Sequence, residues 1–479
     1  MTALTYRTLE GDQNALPSEA VDALAASLRG RLITPTDDDY PTQRCVWNGM
    51  VDRHPALIAC CQGSQDIVEA VDFARTRRMC LSIRGGGHHI AGNAIAEGGL
   101  VIDLSAMRSV HVDPRQGTAR VAPGALLGDI DRETQAYGLA TPLGINSTTG
   151  VAGLALGGGF GWLTRQHGLT ADNLLSAELV TADGQRHHVS AEEDEELFWA
   201  LRGGGGNFGV VSSFEFRLHP VGPEIYAGLV VYPYDQAREV LTAWRDFTGG
   251  APEELSVWAI LREAPPLPFL PEAIHGQRVV VFALMHTGDP ASAERDAAPV
   301  LAFGEPAGQM LGPQPYADFQ AAFDPLLAPG ARNYWKSHDF RELTDEALEE
   351  ALTAAEALPG PECEIFLAHL GGAMSRVDPT ATAYAGRDAH YVMNVHARWQ
   401  EAPEDDRCRD WAREVFQRLA PFATGGGYVN FLTEDEGDRV ASAYGVNFAR
   451  LQAVKRRVDP DNLFRVNLNI PPGAAEVAA

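Results

Sequence analysis

The chain has 479 residues, a length that favours two or three structural units with more than one core. Its formal net charge of −26 at pH 7 disfavours a nucleic acid or an anionic membrane as partner, because both require a basic surface. The apolar fraction of 45% is ordinary for a soluble globular protein, and no apolar run reaches the roughly 18 residues of a membrane helix. The N-terminus also lacks the pattern of a signal peptide, so we expect a cytoplasmic protein.

The cysteines and histidines give no pattern of a disulfide framework or a metal site. The six cysteines contain no CxxC pair, and we interpret them as buried free thiols. The histidines include no HExxH and no spacing typical of zinc ligands. We therefore expect no bound metal.

The first part of the chain alternates helical and strand patterns, as α/β and α+β proteins do. Ser18 and Ser64 are positioned to cap two helices, and Asp183-Gly184 is the turn of a predicted hairpin. The other elements predicted here are strands at 79–83, 100–104, 118–123 and 210–218 and helices at 126–138 and 192–202.

A change of composition near residues 219–223 separates this part from the next. The Pro-rich stretch 263–273 is predicted to be a surface loop, and a late basic helix ends at Asp459-Pro460. Strands are predicted at 225–233, 278–285, 363–370 and 390–399. We predict three segments, at about 1–221, 222–415 and 416–479.

Glycine clusters occur at Gly85–Gly87, Gly157–Gly161 and Gly203–Gly209. Such loops either form tight turns and helix caps or let backbone N–H groups approach phosphates. The third cluster contains G-x-G-x-x-G, but a helix precedes it and a strand follows, the reverse of the dinucleotide-binding order. Several clusters in one segment favour a phosphate-bearing ligand on some other fold.

His88 follows a predicted strand and three glycines, which places it on one of these loops. A solvated or core histidine and a covalent attachment point both remain open on the residues alone.

Five motifs together resemble the vanillyl-alcohol oxidase/p-cresol methylhydroxylase superfamily of flavoproteins, in its berberine-bridge-enzyme-like branch. The motifs are IRGGGHHIAGN at 83–93, GINSTTGVAGLALGGGFGW at 144–162, ELFWALRGGGGNFGVV at 196–211, GGGYVNF at 425–431 and VKRRVDPDNLFRVNLNIPP at 454–472. The resemblance implies an α+β fold with FAD as cofactor. The FAD-binding domain would be made from residues 1–221 and 416–479, and a central antiparallel-sheet substrate domain from residues 222–415.

The same resemblance implies how the flavin is attached. His88 matches the histidine that bonds the flavin 8α-methyl group, and His89 is the less favoured neighbour. Many relatives add a cysteine fourteen positions before the aromatic residue of GGGF; counting back from Phe160 gives Asn146. We therefore expect mono-covalent FAD, linked through His88 alone.

Other residues at matching positions are expected to contact the cofactor. They are Arg84, Gly85, Gly86, Gly87, His89, Thr148, Thr149, Gly150, Gly153, Gly157, Gly158, Gly159, Gly161, Gly209, Val210, Val211, Tyr428, Asn430 and Asn467.

Tyr428 matches the family's tyrosine base, with Asn430 predicted two residues further along one face of a strand. A free tyrosine has a pKa of about 10, so it needs a cation or a hydrogen-bond network to act near neutral pH. In some relatives a lysine and a glutamine assist. Their positions hold Val392 and Asn394, so we assign Asn394 to catalysis and note that the cation is missing.

Other side chains could replace that cation or shape the pocket. The candidate cations are Lys336, His396 and Arg398, and the candidate aromatic walls are Tyr334, Trp335 and Tyr391. Solvated, ion-paired or core roles are the alternatives for all six.

The resemblance implies an FAD-dependent oxidase that oxidises a small organic molecule and reduces O2 to H2O2. The substrate classes it leaves open are an alcohol, a sugar, an amine and a phenolic natural product. A dehydrogenase with another electron acceptor, a flavin-oxygenating monooxygenase and a non-catalytic flavin-binding protein are the alternatives. The sequence names neither the substrate nor the oligomeric state.

Overall fold

Three larger sheets organise the computed structural model, which describes residues 4–473. The α-helices among these residues span Ser18–Ser27, Tyr40–Gln43, Ser64–Thr76, Leu127–Gln135, Val151–Leu156, Thr164–His167, Glu195–Leu201, Ala237–Thr248, Pro290–Ala297, Tyr316–Gln320, Asp345–Glu356, Ala373–Arg376, Asp405–Leu419, Val440–Tyr444 and Phe448–Val458. None of them is both long and apolar enough to span a membrane. The predicted α+β class is confirmed.

The N-terminal sheet has four strands, in the spatial order Arg31–Ile33, Leu57–Cys60, Leu100–Asp103 and Leu81–Arg84. Its last three strands run parallel, and the final one ends where the first glycine cluster begins. Helix Ser64–Thr76 buries Ile67, Val71 and Ala74 against this sheet. The same core includes Val180 and Val210 of the next sheet, so the helix lies between the two sheets.

The second sheet has five strands, in the order Arg186–Ser190, Leu174–Val180, Val210–Arg217, Thr118–Val121 and Val110–Asp113. The predicted hairpin forms its edge, with Gly184 at φ +80° in the turn. The two remaining strand pairs are short and join Thr5–Arg7 to Gln13–Ala15 and Leu139–Ala140 to His219–Pro220.

The central sheet has seven antiparallel strands, in the order Gly308–Pro315, Glu224–Pro233, Arg278–His286, Leu255–Glu263, Glu364–His369, Tyr391–Trp399 and Arg332–Phe340. Its back face packs against helices Ala237–Thr248, Asp345–Glu356 and Asp405–Leu419. The core between them includes Val257 and Met393 of the sheet and Trp244 of the first helix. Its front face looks toward the loops of the N-terminal part. Side chains alternate between the faces because successive residues of a strand point in opposite directions.

The C-terminal segment returns to the second sheet. Leu451 and Val454 of helix Phe448–Val458 are buried in the same cluster as Phe198 and Phe214. Lys455 is fully buried, and its Nζ donates to Asp459 at 2.6 Å and to the carbonyl oxygens of Asn207 and Phe464. This anchor fixes the chain that follows against the third glycine cluster.

Three local expectations differ from the structure. Ser18 and Ser64 are the first helical residues and not caps, because Pro17 and Gly63 take the cap positions. Tyr428 and Asn430 lie on a 3-10 turn, Val429–Phe431, and not on a strand. Helix Asp405–Leu419 continues across residue 415, because it packs on the central sheet along its length. The division of the chain at residues 221 and 415 stays a prediction.

Candidate active site

A cavity of about 650 Å³ lies between the front face of the central sheet and the loops of the N-terminal part. Loops around His88, Gly150 and Gly206 form one wall, and the segment that holds Asn467 closes it. Strands of the central sheet form the opposite wall. The cavity is therefore built from both ends of the chain and its middle.

His88 lines this cavity and is held in place from two sides. Trp47 stacks on the imidazole, with ring centroids 5.1 Å apart and an interplanar angle of 20°. Nε2 lies 2.9 Å from Oγ1 of Thr148. Burial lowers the pKa of His88 to about 4, so the ring is neutral at physiological pH.

His89 also lines the cavity but has a different environment. Its Nδ1 accepts a hydrogen bond from the backbone N–H of Ala91 at 3.2 Å. Burial lowers the pKa of His89 to about 4 as well. One ring nitrogen of His89 is thus engaged by the backbone, whereas among the described residues none bonds to Nδ1 of His88.

Gly86 and Gly150 let two loops meet at the wall of the cavity. A Cβ at Gly86 would lie 2.3 Å from the backbone nitrogen of Gly150, so any side chain there would force the loops apart. Both glycines line the cavity, together with Gly85, Gly87, Thr149, Gly153, Gly209, Val210 and Val211.

Tyr428 is 2% exposed and lines the cavity, and two donors converge on its oxygen. Nδ2 of Asn430 donates at 2.9 Å and the backbone N–H of Gly159 at 3.2 Å. Burial raises the pKa of Tyr428 to about 12, and these hydrogen bonds oppose the increase. Both donors stabilise a phenolate more than a phenol, so they partly replace the missing cation.

The glycines at 157–161 position this tyrosine. Gly159 has φ +78°, and a Cβ on it would lie 2.3 Å from Oγ1 of Thr170. A Cβ at Gly157 would lie 2.2 Å from Oδ1 of Asn430. A side chain at either position would therefore displace the donors that reach Tyr428.

Several predicted residues lie elsewhere. Of the predicted cofactor ligands, six are not among the residues that line the cavity: Arg84, Thr148, Gly157, Gly158, Gly159 and Gly161. Arg84 is buried in an ion pair with Asp103, and Thr148 lies behind His88. Their expected contact with the cofactor stays a prediction.

The residues proposed as substitutes for the cation divide according to strand alternation. His396 and Arg398 lie on the front face and line the cavity with Asn394. Lys336 faces away, and its Nζ donates to Asp435 at 2.7 Å and to Thr433 at 3.0 Å. Trp335 lines the cavity, whereas Tyr334 bonds Asp435 and Tyr391 bonds Thr248 on the far side.

Some residues of the site escaped prediction. Arg262 and Glu364 form an ion pair of 2.8 Å on the cavity wall, and Trp258 lines the same cavity next to Phe366. The alternation of the strand at 363–370 could have placed Glu364 on the same face as Phe366. Trp47 lies outside the helices and strands, and nothing in its local sequence indicated a role.

Family models match two parts of the chain: an FAD binding domain at residues 55–190 and a berberine and berberine-like domain at residues 427–471. An FAD-linked oxidoreductase of Dictyostelium discoideum is 31% identical, and the match covers 97% of this chain and 99% of the relative. The (R)-6-hydroxynicotine oxidase of Paenarthrobacter nicotinovorans is also 31% identical, over 94% of this chain and 98% of its own. This chain belongs to the berberine-bridge-enzyme-like FAD-linked oxidoreductases.

The fold comparison agrees with membership of this family. The crystal structure of 6-hydroxy-D-nicotine oxidase from Arthrobacter nicotinovorans superposes with a TM-score of 0.83 at 29% identity. The match covers 93% of this chain and 99% of that chain. The family assignment inferred from the motifs is therefore confirmed. The prediction that the protein is an FAD-dependent oxidoreductase is confirmed with it.

The cavity of this berberine-bridge-enzyme-like chain fits FAD in its chemistry. A Cβ at Gly153 or Gly206 would meet no protein atom within 4 Å, although both residues line the wall. The wall there is bare backbone, which suits phosphate groups. Oδ1 of Asn467 is buried and has no hydrogen-bond partner among the described residues, and a flavin N–H can supply one.

Proposed function

We propose that this protein is an FAD-dependent oxidase that takes a hydride from a small organic substrate and passes the electrons to O2, forming H2O2. The observation that carries the proposal is the buried Tyr428 at the cavity wall, with two neutral donors aimed at its oxygen. FAD, when bound, supplies the hydride acceptor. A non-catalytic flavin-binding protein would have no use for this arrangement.

In the proposed reaction, Tyr428 accepts a proton from the substrate. Asn430 and the N–H of Gly159 hold the phenolate that makes this possible. Asn394 orients the substrate from the opposite wall, since its buried Oδ1 has no partner among the residues of the described chain. General base catalysis of this kind contributes typically 10²- to 10⁴-fold.

The FAD is proposed to be held by one covalent bond, through His88. The ring of His88 is neutral, fixed by Trp47 and Thr148, and lines the cavity. Asn146 occupies the place of the second tether, and no cysteine lies between Cys80 and Cys363. A second thioether is therefore not available in this part of the chain.

Acid precipitation of the purified protein tests the cofactor assignment. We expect yellow colour and the mass of one FAD to stay with the washed wild-type protein, and His88→Ala to release its flavin. His89→Ala is the matched control and should retain the covalent flavin. Covalent flavin in His88→Ala would contradict the assignment, and a wild type without flavin after reconstitution would contradict the function as a whole.

Reoxidation separates an oxidase from a dehydrogenase. The holoprotein is reduced without oxygen and then mixed with aerated buffer, while the flavin absorbance and the peroxide formed are recorded. An oxidase should regain its oxidised spectrum within seconds and release one H2O2 for each flavin. Persistent reduced flavin that only an artificial acceptor reoxidises would favour the dehydrogenase.

A further inference from the structure

The hydrogen bonds behind His88 determine which of its nitrogens carries the proton. Oδ1 of Asn146 accepts the backbone N–H of Thr148 at 2.9 Å. This bond fixes the orientation of the Asn146 amide, because a flipped amide would place its NH2 against that N–H. Oδ1 is therefore an acceptor, and Oγ1 of Thr148, 2.6 Å away, must donate to it.

The threonine hydroxyl has only one proton, and that proton is committed to Asn146. The 2.9 Å contact between Oγ1 of Thr148 and Nε2 of His88 must then run in the other direction, with Nε2–H as donor. A neutral imidazole has one protonated nitrogen, so Nδ1 keeps its lone pair. Nδ1 has no hydrogen-bond partner among the described residues of this cavity wall.

We propose that Asn146 and Thr148 are positioning residues for flavin attachment, which hold His88 as the Nε2–H tautomer with Nδ1 as the nucleophile. This inference rests on the proposed link through His88. The residue at the position of the absent second tether thus supports the first one. Stacking by Trp47 restricts rotation of the ring, so the lone pair keeps its direction.

The bond-forming step balances as follows. The lone pair of Nδ1 forms a bond to the 8α carbon of FAD, and that carbon loses one proton. The electron pair of the broken C–H bond reduces the flavin. Nε2 loses its proton, which restores a neutral imidazole, and dioxygen takes the two electrons and the two protons as H2O2.

The rate of covalent attachment tests the proposal. Apoprotein from riboflavin-limited cells is mixed with FAD under air, and bound and acid-stable flavin are measured separately over time, with intact mass. Thr148→Val keeps the shape but loses the acceptor, and it should bind FAD yet form the covalent bond at least tenfold more slowly. Thr148→Ser keeps the hydroxyl and should stay within about threefold of the wild type.

A second pair of variants keeps the test decisive if Thr148→Val fails to fold. Asn146→Leu should show the same slow attachment. Asn146→Asp keeps an acceptor oxygen, and its rate of flavin attachment should stay within about threefold of the wild-type rate. Attachment at the wild-type rate in Thr148→Val or Asn146→Leu would overturn the proposal. A wild type that binds FAD without linking it would instead contradict the tether assigned under the proposed function.

A separate observation concerns the substrate. The front face of the central sheet has an apolar half and a polar half, and both line the cavity. The apolar half consists of Leu229, Trp258, Ile260, Val281, Ala283 and Phe366. Connecting segments outside the strands add Pro265, Leu267, Phe323, Pro325 and Leu326 to the lining.

The charges of the polar half are already paired. Arg262 pairs with Glu364 at 2.8 Å, and Arg398 with Glu362 at 2.9 Å. A charged substrate would have to compete with these pairs at the cost of desolvation. Asn394 differs, because its buried Oδ1 has no partner in the part of the chain that the structure describes and needs a donor from a ligand.

We infer that the substrate is a neutral, mostly apolar molecule with a hydrogen-bonding group that reaches Asn394. The inference deepens the proposed oxidase function and predicts poor binding of both sugars and ions. A sugar would leave many hydroxyl groups unpaired against the aliphatic wall.

Binding of small probes to the holoprotein, followed by changes in flavin absorbance, tests this inference without requiring turnover. Benzyl alcohol should bind at least tenfold more tightly than benzoate, benzylamine or cellobiose. Ile260→Asn should reduce the difference in affinity between benzyl alcohol and the polar probes, because it places an amide on the apolar wall. Ile260→Leu keeps the wall apolar and should preserve the difference. Equal or tighter binding of any other probe, or no binding of benzyl alcohol, would overturn the inference, while the flavin spectrum itself reports whether the cofactor assignment holds.

Discussion

The two faces of strand Tyr391–Trp399 differ in what their side chains can do. On the back face, Met393 and Val395 are buried in a core with the covering helices. On the front face, Asn394, His396 and Arg398 are equally buried, yet they border the cavity. Burial alone therefore does not distinguish stabilising residues from functional ones. The distinguishing property is whether a buried side chain carries polar groups that face the cavity.

The largest effect is expected opposite the front face, at Tyr428. Tyr428→Phe removes the base and should slow flavin reduction by a good substrate about 10³-fold, within the usual range for a general base. Its free energy of unfolding in urea should fall by only about 1–2 kcal/mol, because the ring remains but the donors of Gly159 and Asn430 lose their acceptor. Reduction measured by anaerobic stopped flow checks this, and an unchanged rate would remove Tyr428 from the mechanism.

On the back face the expectation is reversed. Met393→Ala should lower the free energy of unfolding by about 3 kcal/mol, since it leaves a cavity beneath the helices. The rate of flavin reduction in the folded variant should stay within about threefold of the wild type. Urea unfolding measures the loss of stability, and stopped flow measures the rate of flavin reduction. A reduction rate that fell together with the stability would contradict the separation of the two faces.

The pH dependence sharpens the role of the tyrosine. Burial raises the pKa of Tyr428 to about 12, so below that pH the phenolate fraction grows about tenfold with each pH unit. Flavin reduction should therefore accelerate about 100-fold between pH 7 and pH 9, and Tyr428→Phe should abolish this dependence. A flat profile in the wild type would show that proton removal does not limit the step.

Lys336 tests whether a back-face cation takes part in the chemistry. Lys336→Met leaves Asp435 and the buried Glu436 without this partner and should destabilise the protein by about 2 kcal/mol. The loss is smaller than for an isolated buried pair, because Asp435 is partly exposed and Glu436 keeps its ion pair with Arg439. Flavin reduction should be unaffected. A rate loss of tenfold or more at full folding would return Lys336 to the list of catalytic assistants.

The smallest effect is expected at Asn394, the front-face neighbour of Met393. Asn394→Leu removes an amide whose Oδ1 has no hydrogen-bond partner within residues 4–473, so stability should stay within about 0.5 kcal/mol. The ratio kcat/KM should fall about tenfold, as one hydrogen bond to the substrate is lost. Asn394→Gln is the matched variant that retains the amide, and it should recover part of the loss.

Local patterns were sufficient to predict four of the seven strands of the central sheet and the hairpin at Asp183-Gly184, because apolar alternation and turn residues are local signals. The motifs also led to His88 and Tyr428, which both line the cavity. The donor from Gly159 to Tyr428 joins residues 269 positions apart, and the stacking of Trp47 depends on the folded loops. Such contacts depend on tertiary packing, so the periodicity of the sequence does not predict them.

The C-terminal segment completes the cavity wall, and the ribosome synthesises it last among the residues that form this wall. Arg465 donates to the carbonyl oxygen of Leu9, which closes a loop of 456 positions, and Asn467 follows directly at the cavity wall. The ribosome releases these residues only after the sheets and glycine loops have been made. FAD therefore meets a complete wall only after residue 468 has been added, so flavin loading follows the synthesis of every residue that lines this cavity.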